Sequence, residues 1–346
     1  MWNPLRMFSR RSMLPRRKYG RLGVTSLVAG AALVIMLIVG WLIEGRGNTE
    51  AQQAIADLAR KADSDPAAAI ASASRANRIV ILSDIHESSA TKRLAAQAIE
   101  KIVATSGLDV VALEVGADLQ SAIDRYLESN PEDASLLVTN ERALRAPGPA
   151  SRDYLEIYRR VWKVNQKLGP DQRIQILAAD LEGWPPLRSV APAELARRSA
   201  EREERMQQQI QRAMSLQPGA RVLVFMTGYH ALKSGKGMLQ TGGSEPVEID
   251  WLGARLHRSA PEEVYSILVD APAAGRTSDV TAYGGTSIAE MIRRSGVQRT
   301  FVTSVTAEFD AIRRPLITRK SPGLNFEILP RDYNLSDIAD AYIYLR

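Results

Sequence analysis

Beyond residue 78 the chain alternates between short continuous apolar runs and longer stretches in which apolar residues recur at helical spacing. The spaced stretches predict helices at 91–105, near 118–127, around 154–161 and at 194–214. Continuous apolar runs are typical of strands buried on both faces, and strands that alternate with helices usually pair in parallel. The pattern predicts an α/β domain with three layers, α/β/α, around a central and mostly parallel sheet. The predicted strands are 79–82, 109–113, 174–178, 222–225, 264–269, 300–302 and 341–345.

A long uncharged stretch, residues 22–43, lies near the amino terminus. At about 1.5 Å per residue, a helix of this length would span a hydrocarbon core of about 30 Å. Residues 1–46 contain eight basic residues and one acidic residue, a net charge of +7. Because arginine and lysine accumulate on the cytoplasmic side, we expect a single-pass helix in a bacterial inner membrane with a cytoplasmic amino terminus. The carboxyl-terminal part would then be periplasmic or extracellular.

The expected organisation is a basic cytoplasmic segment at 1–21, the transmembrane helix at 22–43, a linker and helical stalk at 44–77, and the α/β domain at 78–346. The total charge of +6 leaves −1 for residues 47–346, so this part offers no basic surface for nucleic acid. Cysteine is absent, which excludes disulfides, thiolate metal ligands and cysteine nucleophiles. A segment rich in glycine and lysine, 233–243, is expected to form a mobile flap.

Two of the three histidines follow predicted strands, and a glutamate ends a third strand. His86 comes after the run 79–82, His230 comes after the run 222–225, and Glu114 directly follows the run 109–113. Ligands of α/β folds bind beyond the carboxyl ends of the strands, so these side chains are expected at one site. A carboxylate that ends a buried strand is costly unless it is paired, and it usually belongs to a site or an ion pair.

Asp84 and His86 are two positions apart, so in extended backbone their side chains point the same way. This geometry suits a metal-ligand pair or a general base with its orienting carboxylate. A purely structural role, in which Asp84 caps the amides of the next helix, is an equally weighted alternative. His257 is expected at the edge of a helix outside the site, and Trp184 is expected either to form a wall of the site or to pack within a loop.

The order of these motifs resembles the erythromycin esterase/ChaN-like superfamily, which includes the TraB and Tiki groups. The matching segments are a strand followed by residues 83–86, a strand ending in Glu114, and a strand followed by residues 228–230. Residues 202–206 resemble the group's Arg-Asp/Asn-x-x-Met helix, and 340–345 resemble its terminal strand. The resemblance covers 78–346. The chain departs from the group at Ser83, at Asp84, where the group has glutamate, and at Glu203, where it has Asp or Asn.

The resemblance implies a site built from His86, Glu114 and His230, with Asp84 and Arg202 in support. In the Tiki branch such residues are ligands of a divalent metal, here Zn²⁺, Mn²⁺ or Co²⁺, in a hydrolase. In the esterase branch the histidine and the carboxylates act on water as a general base. Arg202 would stabilise a developing oxyanion. Its alternative is an exposed arginine on a charged helix.

In the ChaN-like branch the resemblance implies haem binding, with a histidine, Tyr229 or Met226 as an axial ligand. The chain is therefore expected to act on an ester or peptide as a hydrolase, or to bind haem or a metal without catalysis. A third alternative is a degenerate envelope interaction protein, favoured if the imidazoles of His86 and His230 lie far apart. A calcineurin-like phosphoesterase, which Asp84 and His86 also resemble, ranks lower because its other metal-binding motifs are missing.

Overall fold

The structure is a computed structural model. It describes residues 53–54, 56–86, 88–138, 153–184, 190–241, 245–271, 292–305, 318–321, 324–327 and 334–346. The segment predicted to cross a membrane, 22–43, and the basic segment before it lie outside these residues. Within the described ranges, no helix combines the length and the apolar character that a membrane crossing requires.

The described strands and helices from residue 66 onward form a mixed series. The strands are β1 Ile79–Asp84, β2 Val110–Gly116, β3 Gln175–Asp180, β4 Val222–Thr227, β5 Lys236–Thr241, β6 Val247–Asp250, β7 Val264–Asp270, β8 Phe301–Ser304, β9 Thr318–Ser321, β10 Leu324–Glu327 and β11 Ala341–Tyr344. The helices are α1 Pro66–Ala76, α2 Ser89–Thr105, α3 Gln120–Glu128, α4 Ser135–Val138, α5 Tyr154–Asn165, α6 Pro192–Leu216, α7 Leu252–Ser259 and α8 Leu335–Ile338.

A seven-stranded sheet in the order β3-β2-β4-β1-β7-β11-β8 forms the centre of the domain. Every neighbouring pair in it is parallel except β8 with β11. The mixed α/β class with a mostly parallel central sheet, predicted from the apolar runs, is therefore confirmed. Each of these runs lies within or overlaps a strand of this sheet.

The two faces of the sheet pack into two separate hydrophobic clusters, because successive side chains of a strand point to opposite faces. On β1, Ile81 belongs to a cluster that includes Met206 of α6. The next residue, Leu82, belongs to the other cluster, which includes Ile99 of α2. This packing explains why the central strands contain continuous apolar runs, since neither face of the sheet is left to water.

A second sheet, antiparallel and in the order β6-β5-β10-β9, was not predicted. Residues 236–241 form strand β5 of this sheet. The prediction of a mobile flap at 233–243 was therefore wrong for most of that segment. Strand β5 pairs with β6 and with β10, and β10 lies far along the chain. Because the pairing is non-local, the composition of the segment alone could not reveal the strand.

The carboxyl ends of β3, β2, β4 and β1 lie side by side, since these four strands are neighbours in the sheet. Asp84, the last residue of β1, is in register with Thr227, the last residue of β4. Strand β2 carries Glu114 within an irregularity of its pairing with β3, between Leu113 and Gly116. Such bulges redirect a side chain, and here one lies at the functional end of the sheet.

Candidate active site

Asp84 is a buried carboxylate with four partners. Its Oδ2 atom lies 2.9 Å from His86 Nδ1 and accepts a hydrogen bond from the hydroxyl of Tyr154 at 2.9 Å. Its Oδ1 atom accepts from Thr91 Oγ1 at 2.6 Å and pairs with Lys92 Nζ at 2.8 Å. Burial raises the pKa of Asp84, but the hydrogen bond from His86 and the charge of Lys92 outweigh it, so the pKa is lowered. Asp84 is therefore a fixed anion.

Lys92 lies in the first turns of α2 and is fully buried. Besides its contact with Asp84, its ammonium donates to the carbonyl oxygens of Ile85 at 2.7 Å and His86 at 2.8 Å. A buried lysine is costly unless it is paired, and here all three contacts fall on the turn that carries His86. Lys92 thus fixes that turn against the sheet.

His86 is partly accessible to solvent, with 21% of its side chain exposed. Its Nε2 atom lies 2.7 Å from Thr227 Oγ1 and 3.7 Å from Glu114 Oε2. Burial lowers the pKa of His86, but the charge of Glu114 and the hydrogen bond to Asp84 outweigh it and raise the pKa. The imidazole is therefore held at both ring nitrogens.

Glu114 is buried at the centre of the site. Its Oε1 atom accepts from Arg202 Nη2 at 2.7 Å, and its Oε2 atom accepts from the backbone N–H of Thr227 at 2.9 Å. Thr227 Oγ1 is a further donor to Oε2, at 2.6 Å. Burial raises the pKa of Glu114, but the charges of His230, His86 and Arg202 hold it well below its usual range. Glu114 is therefore ionised.

Arg202 on α6 is 4% exposed, so the alternative of an exposed arginine was wrong. Its Nε and Nη2 atoms donate to the carboxylate of Asp180 at 2.6–3.2 Å, and its guanidinium lies over the ring of Trp184, 4.3 Å from the ring centre. Trp184 is therefore part of the site. No hydrogen bond joins Nη1 to any residue that the structure describes, so Nη1 keeps its donor capacity.

His230 lies in a 3₁₀ turn, Gly228–Ala231, and is fully buried. Its Nδ1 atom lies 2.9 Å from Glu203 Oε2, and its Nε2 atom lies 3.3 Å from Glu114 Oε1. Burial lowers the pKa of His230, but the charges of Glu203 and Glu114 outweigh it and raise the pKa to about 9. At neutral pH His230 is therefore a cation between two carboxylates.

The turn that holds His230 packs closely against the start of α7. Glu203 Oε2 also accepts from the backbone N–H of Leu252, the first residue of that helix. A Cβ atom at Gly253 would lie 2.5 Å from the carbonyl oxygen of Leu232, so only glycine allows this approach. Glu203, a departure from the superfamily pattern, is thus the residue that fixes His230.

The structure brings the predicted site residues together. The imidazoles of His86 and His230 both contact the carboxylate of Glu114, and Asp84 and Arg202 lie on either side. The wide separation that would favour a degenerate protein is therefore absent from this site. The chemical roles of these site residues stay predictions.

His257 lies outside the site. It belongs to α7, and its Nε2 atom lies 3.1 Å from Ser266 Oγ and 3.8 Å from Asp340 Oδ2. Burial lowers the pKa of His257 to about 4 despite the opposing charge of Asp340, so this imidazole is neutral. It therefore offers a matched control for experiments on the other two histidines.

The site does not fit a resident divalent metal. Across the described ranges, no group of three His, Asp or Glu side chains is arranged to hold a metal ion. The predicted ligand set of His86, Glu114 and His230 fails for a physical reason. Both oxygens of Glu114 already accept hydrogen bonds, one of them from the Arg202 guanidinium. A cation bound there would meet the positive charge of Arg202.

Two of the residues offered for haem, His230 and Tyr229, are packed against other side chains of the site. His230 is fully buried, and its ring nitrogens face Glu203 and Glu114. The ring of Tyr229 packs between His230 and Trp251, with ring centres 4.4 Å and 5.0 Å away. Axial ligation needs a ring nitrogen or a phenolate presented to an open cavity. The site thus gives no support to haem ligation by these residues.

Several residues of the site were not predicted as functional. Asp180 and Thr227 end β3 and β4, so the rule that pointed to Glu114 could also have found them. Thr91, Lys92 and Tyr154 reach Asp84 from helices. Their only sequence signal is a polar residue on the apolar face of a helix, which Lys92 shows most clearly.

No family model and no curated protein matches the sequence. Solved structures do match it. They include a mutant of an erythromycin esterase in its open conformation, 12% identical with a TM-score of 0.51, covering 79% of this chain and 91% of that one. A Bacillus cereus protein is 9% identical with a TM-score of 0.57, and a succinoglycan biosynthesis protein is 10% identical with a TM-score of 0.60; each match covers 85% of this chain and 97% of the other. The chain therefore has the fold of erythromycin esterase, as its motifs predicted.

Replacing Lys92 with methionine should strongly destabilise the fold. The variant would leave Asp84 without its lysine and two carbonyl oxygens without a donor, which should cost about 3–5 kcal/mol in the free energy of unfolding. Urea denaturation would measure it. Lys101→Met on the same helix is the control, because Lys101 is half exposed in its pair with Asp65 and should cost under about 1 kcal/mol. Equal effects of the two variants would contradict the structural role of Lys92.

The protonation of His230 should make stability depend on alkaline pH. The pKa of His230 is about 9 in the folded protein, against 6.5 for an exposed histidine. Its contribution, roughly 3 kcal/mol, should be complete below pH 6.5 and should disappear as the pH rises through 9. The comparison is the free energy of unfolding of the wild type and His230→Gln from pH 6 to pH 10. A difference that stays constant over this range would contradict a charged His230.

Proposed function

We propose that this protein is a hydrolase that cleaves an ester of a small molecule by general-base activation of water, without a resident metal. The observation that carries the proposal is the pair formed by Asp84 and His86 at the carboxyl end of β1, with His86 partly exposed. The fold it shares with an erythromycin esterase, whose name identifies it as an ester hydrolase, supports the ester as the bond class.

His86 is the proton acceptor in this proposal. A hydrogen bond from Nδ1–H to the fixed anion Asp84 leaves the lone pair on Nε2, the nitrogen that faces the centre of the site. Asp84 also stabilises the imidazolium that forms when His86 takes a proton. The contacts of Asp84 with Lys92 and Tyr154 keep this carboxylate in place through the cycle.

Arg202 stabilises the oxyanion of the tetrahedral intermediate in this proposal. Asp180 and Glu114 hold its Nε and Nη2 atoms, so the guanidinium is oriented before substrate binds. The remaining donor, Nη1, is then available to the developing negative charge. Pre-oriented donors of this kind need no reorganisation during the reaction, which is why they contribute strongly to catalysis.

Glu114 and His230 are positioning residues rather than bases. Glu114 is ionised but its two oxygens already accept hydrogen bonds, and His230 is a buried cation. Neither offers a free lone pair to a water molecule. Their role in the proposal is to hold Arg202, Thr227 and His86 at fixed positions around one carboxylate.

Replacing His86 with alanine should lower kcat for ester hydrolysis by about 10²–10⁴, the usual contribution of a general base. The full-length protein, purified in detergent, would be assayed with p-nitrophenyl acetate and p-nitrophenyl butyrate. His257→Gln should keep wild-type activity, and EDTA should have no effect. Hydrolysis by His86→Ala at the wild-type rate would refute the proposal, and loss of activity in EDTA would refute its metal-free form.

We also propose that residues 22–43 anchor the protein in a bacterial inner membrane with the α/β domain in the periplasm. The charge of +7 on residues 1–46 supports this orientation. Alkaline phosphatase fused after Arg346 should be active in cells, because that enzyme folds only after export. A matched fusion without residues 1–43 should be inactive. Activity of both fusions, or of neither, would contradict the anchored orientation.

A further inference from the structure

The hydroxyl group of Thr227 lies between the proposed base, His86, and the carboxylate of Glu114. Its Oγ1 atom lies 2.7 Å from His86 Nε2 and 2.6 Å from Glu114 Oε2. The backbone N–H of Thr227 donates to the same glutamate oxygen at 2.9 Å, which fixes the residue independently of its hydroxyl. Thr227 is 8% exposed and lies beside His86, so a water molecule can approach it.

The single hydrogen of this hydroxyl allows only two arrangements. When His86 is neutral with its proton on Nδ1, the hydroxyl donates to the lone pair of Nε2. When His86 is protonated at both nitrogens, Nε2–H donates to Oγ1 and the hydroxyl donates to Glu114 instead. A threonine hydroxyl is both donor and acceptor, so it can serve either state of His86, and in the neutral state it gives up its hydrogen bond to Glu114 Oε2.

We propose that Thr227 is a catalytic residue that relays the proton of the attacking water to His86. The inference rests on the proposed hydrolase function and deepens it. An imidazole nitrogen has one lone pair, and in neutral His86 the Thr227 hydroxyl, 2.7 Å away, is placed to turn from Glu114 and donate to that of Nε2. Water therefore cannot bind the base directly, whereas Oγ1 retains a lone pair that can accept from water.

The relay transfers two protons in one step. The water breaks one O–H bond, gives that proton to Thr227 Oγ1, and adds as hydroxide to the ester carbonyl carbon. At the same time Thr227 gives its own proton to His86 Nε2, so the threonine ends as a hydroxyl again. The imidazolium later returns the proton by the same route to the departing alcohol oxygen as the C–O bond breaks.

Glu114 completes the relay by accepting a hydrogen bond from the rotated hydroxyl of Thr227. After the transfer, Oγ1 accepts from His86 Nε2–H while its hydrogen turns to Glu114 Oε2, 2.6 Å away. The same carboxylate argues against Thr227 as a nucleophile, because an alkoxide on Oγ1 would form beside an ionised group. A covalent acyl-threonine is therefore the outcome that distinguishes a nucleophile from a relay.

Thr227→Val and Thr227→Ser are the matched variants that test the relay. Valine keeps the shape but removes the hydroxyl, and it should lower kcat for p-nitrophenyl acetate by about 10²-fold or more with little change in KM. Serine keeps the hydroxyl and should restore kcat to within about tenfold of the wild type. In mixtures of H₂O and D₂O, a plot of kcat against the deuterium fraction of the solvent should be curved for the wild type, because two protons move. The same plot should be a straight line for the valine variant. Mass spectrometry of quenched reactions should detect no acyl adduct on residue 227.

A second measurement tests the hydrogen bond without using activity. The chain has three histidines, so ¹⁵N-histidine labelling of the full-length protein gives few ring signals, and His86→Ala assigns those of His86. The Nε2 resonance of His86 should shift in Thr227→Val and return in Thr227→Ser. An unchanged resonance in the valine variant would overturn the relay.

The two proposals fail in different ways. If His86→Ala abolishes hydrolysis and Thr227→Val does not, the relay is wrong and the hydrolase stands. If His86→Ala has no effect, the hydrolase itself is wrong. An acyl adduct on Thr227 would replace the relay with covalent catalysis.

Discussion

The ionised carboxylate of Glu114, buried at the end of β2, is the constraint on which the site depends. A buried charge is stable only when it is paired, and Glu114 takes its partners from α6, from the turn after β4 and from the turn after β1. The described site contains four buried carboxylates, Asp84, Glu114, Asp180 and Glu203, against three cations, Lys92, Arg202 and His230. One negative charge therefore remains, and it can be neutralised when His86 takes a proton. The charge of Glu114, together with the hydrogen bond and the charge of Asp84, raises the pKa of His86 despite its burial.

In the proposed mechanism, the same contacts account for catalysis by a base instead of a metal. A dication at Glu114 would have to displace the Arg202 guanidinium, and this change would leave Asp180, another buried carboxylate, without its partner. Arg202 already provides a fixed positive charge in contact with Glu114. The guanidinium differs from a metal in that it cannot generate hydroxide from bound water, so the site needs a separate proton acceptor. Within the described part of the site, His86 combines partial exposure with a fixed orientation.

The sequence predicted those parts of the site that depend on the sheet, and it missed those that depend on packing between distant elements. His86 and Glu114 were found because an apolar run followed by a polar residue marks the functional end of a parallel strand. Lys92 and Tyr154 were missed because each acquires its role from Asp84, which lies on another element. The same reason applies to the antiparallel sheet, where β5 is defined by its pairing with β10 and not by its own residues. Sequence analysis also assigned His86 and His230 the same role, because both follow a strand.

The structure separates the two imidazoles by their surroundings. His230 has a carboxylate at each ring nitrogen and no exposure, so its proton is held and the ring serves as a fixed cation. His86 has a carboxylate at Nδ1 but a hydroxyl at Nε2, and its side chain is partly exposed. A hydroxyl can donate to Nε2 or accept from it, whereas a carboxylate can only accept. Thr227 therefore keeps both protonation states of His86 accessible, and this reversibility is what a general base requires during each turnover.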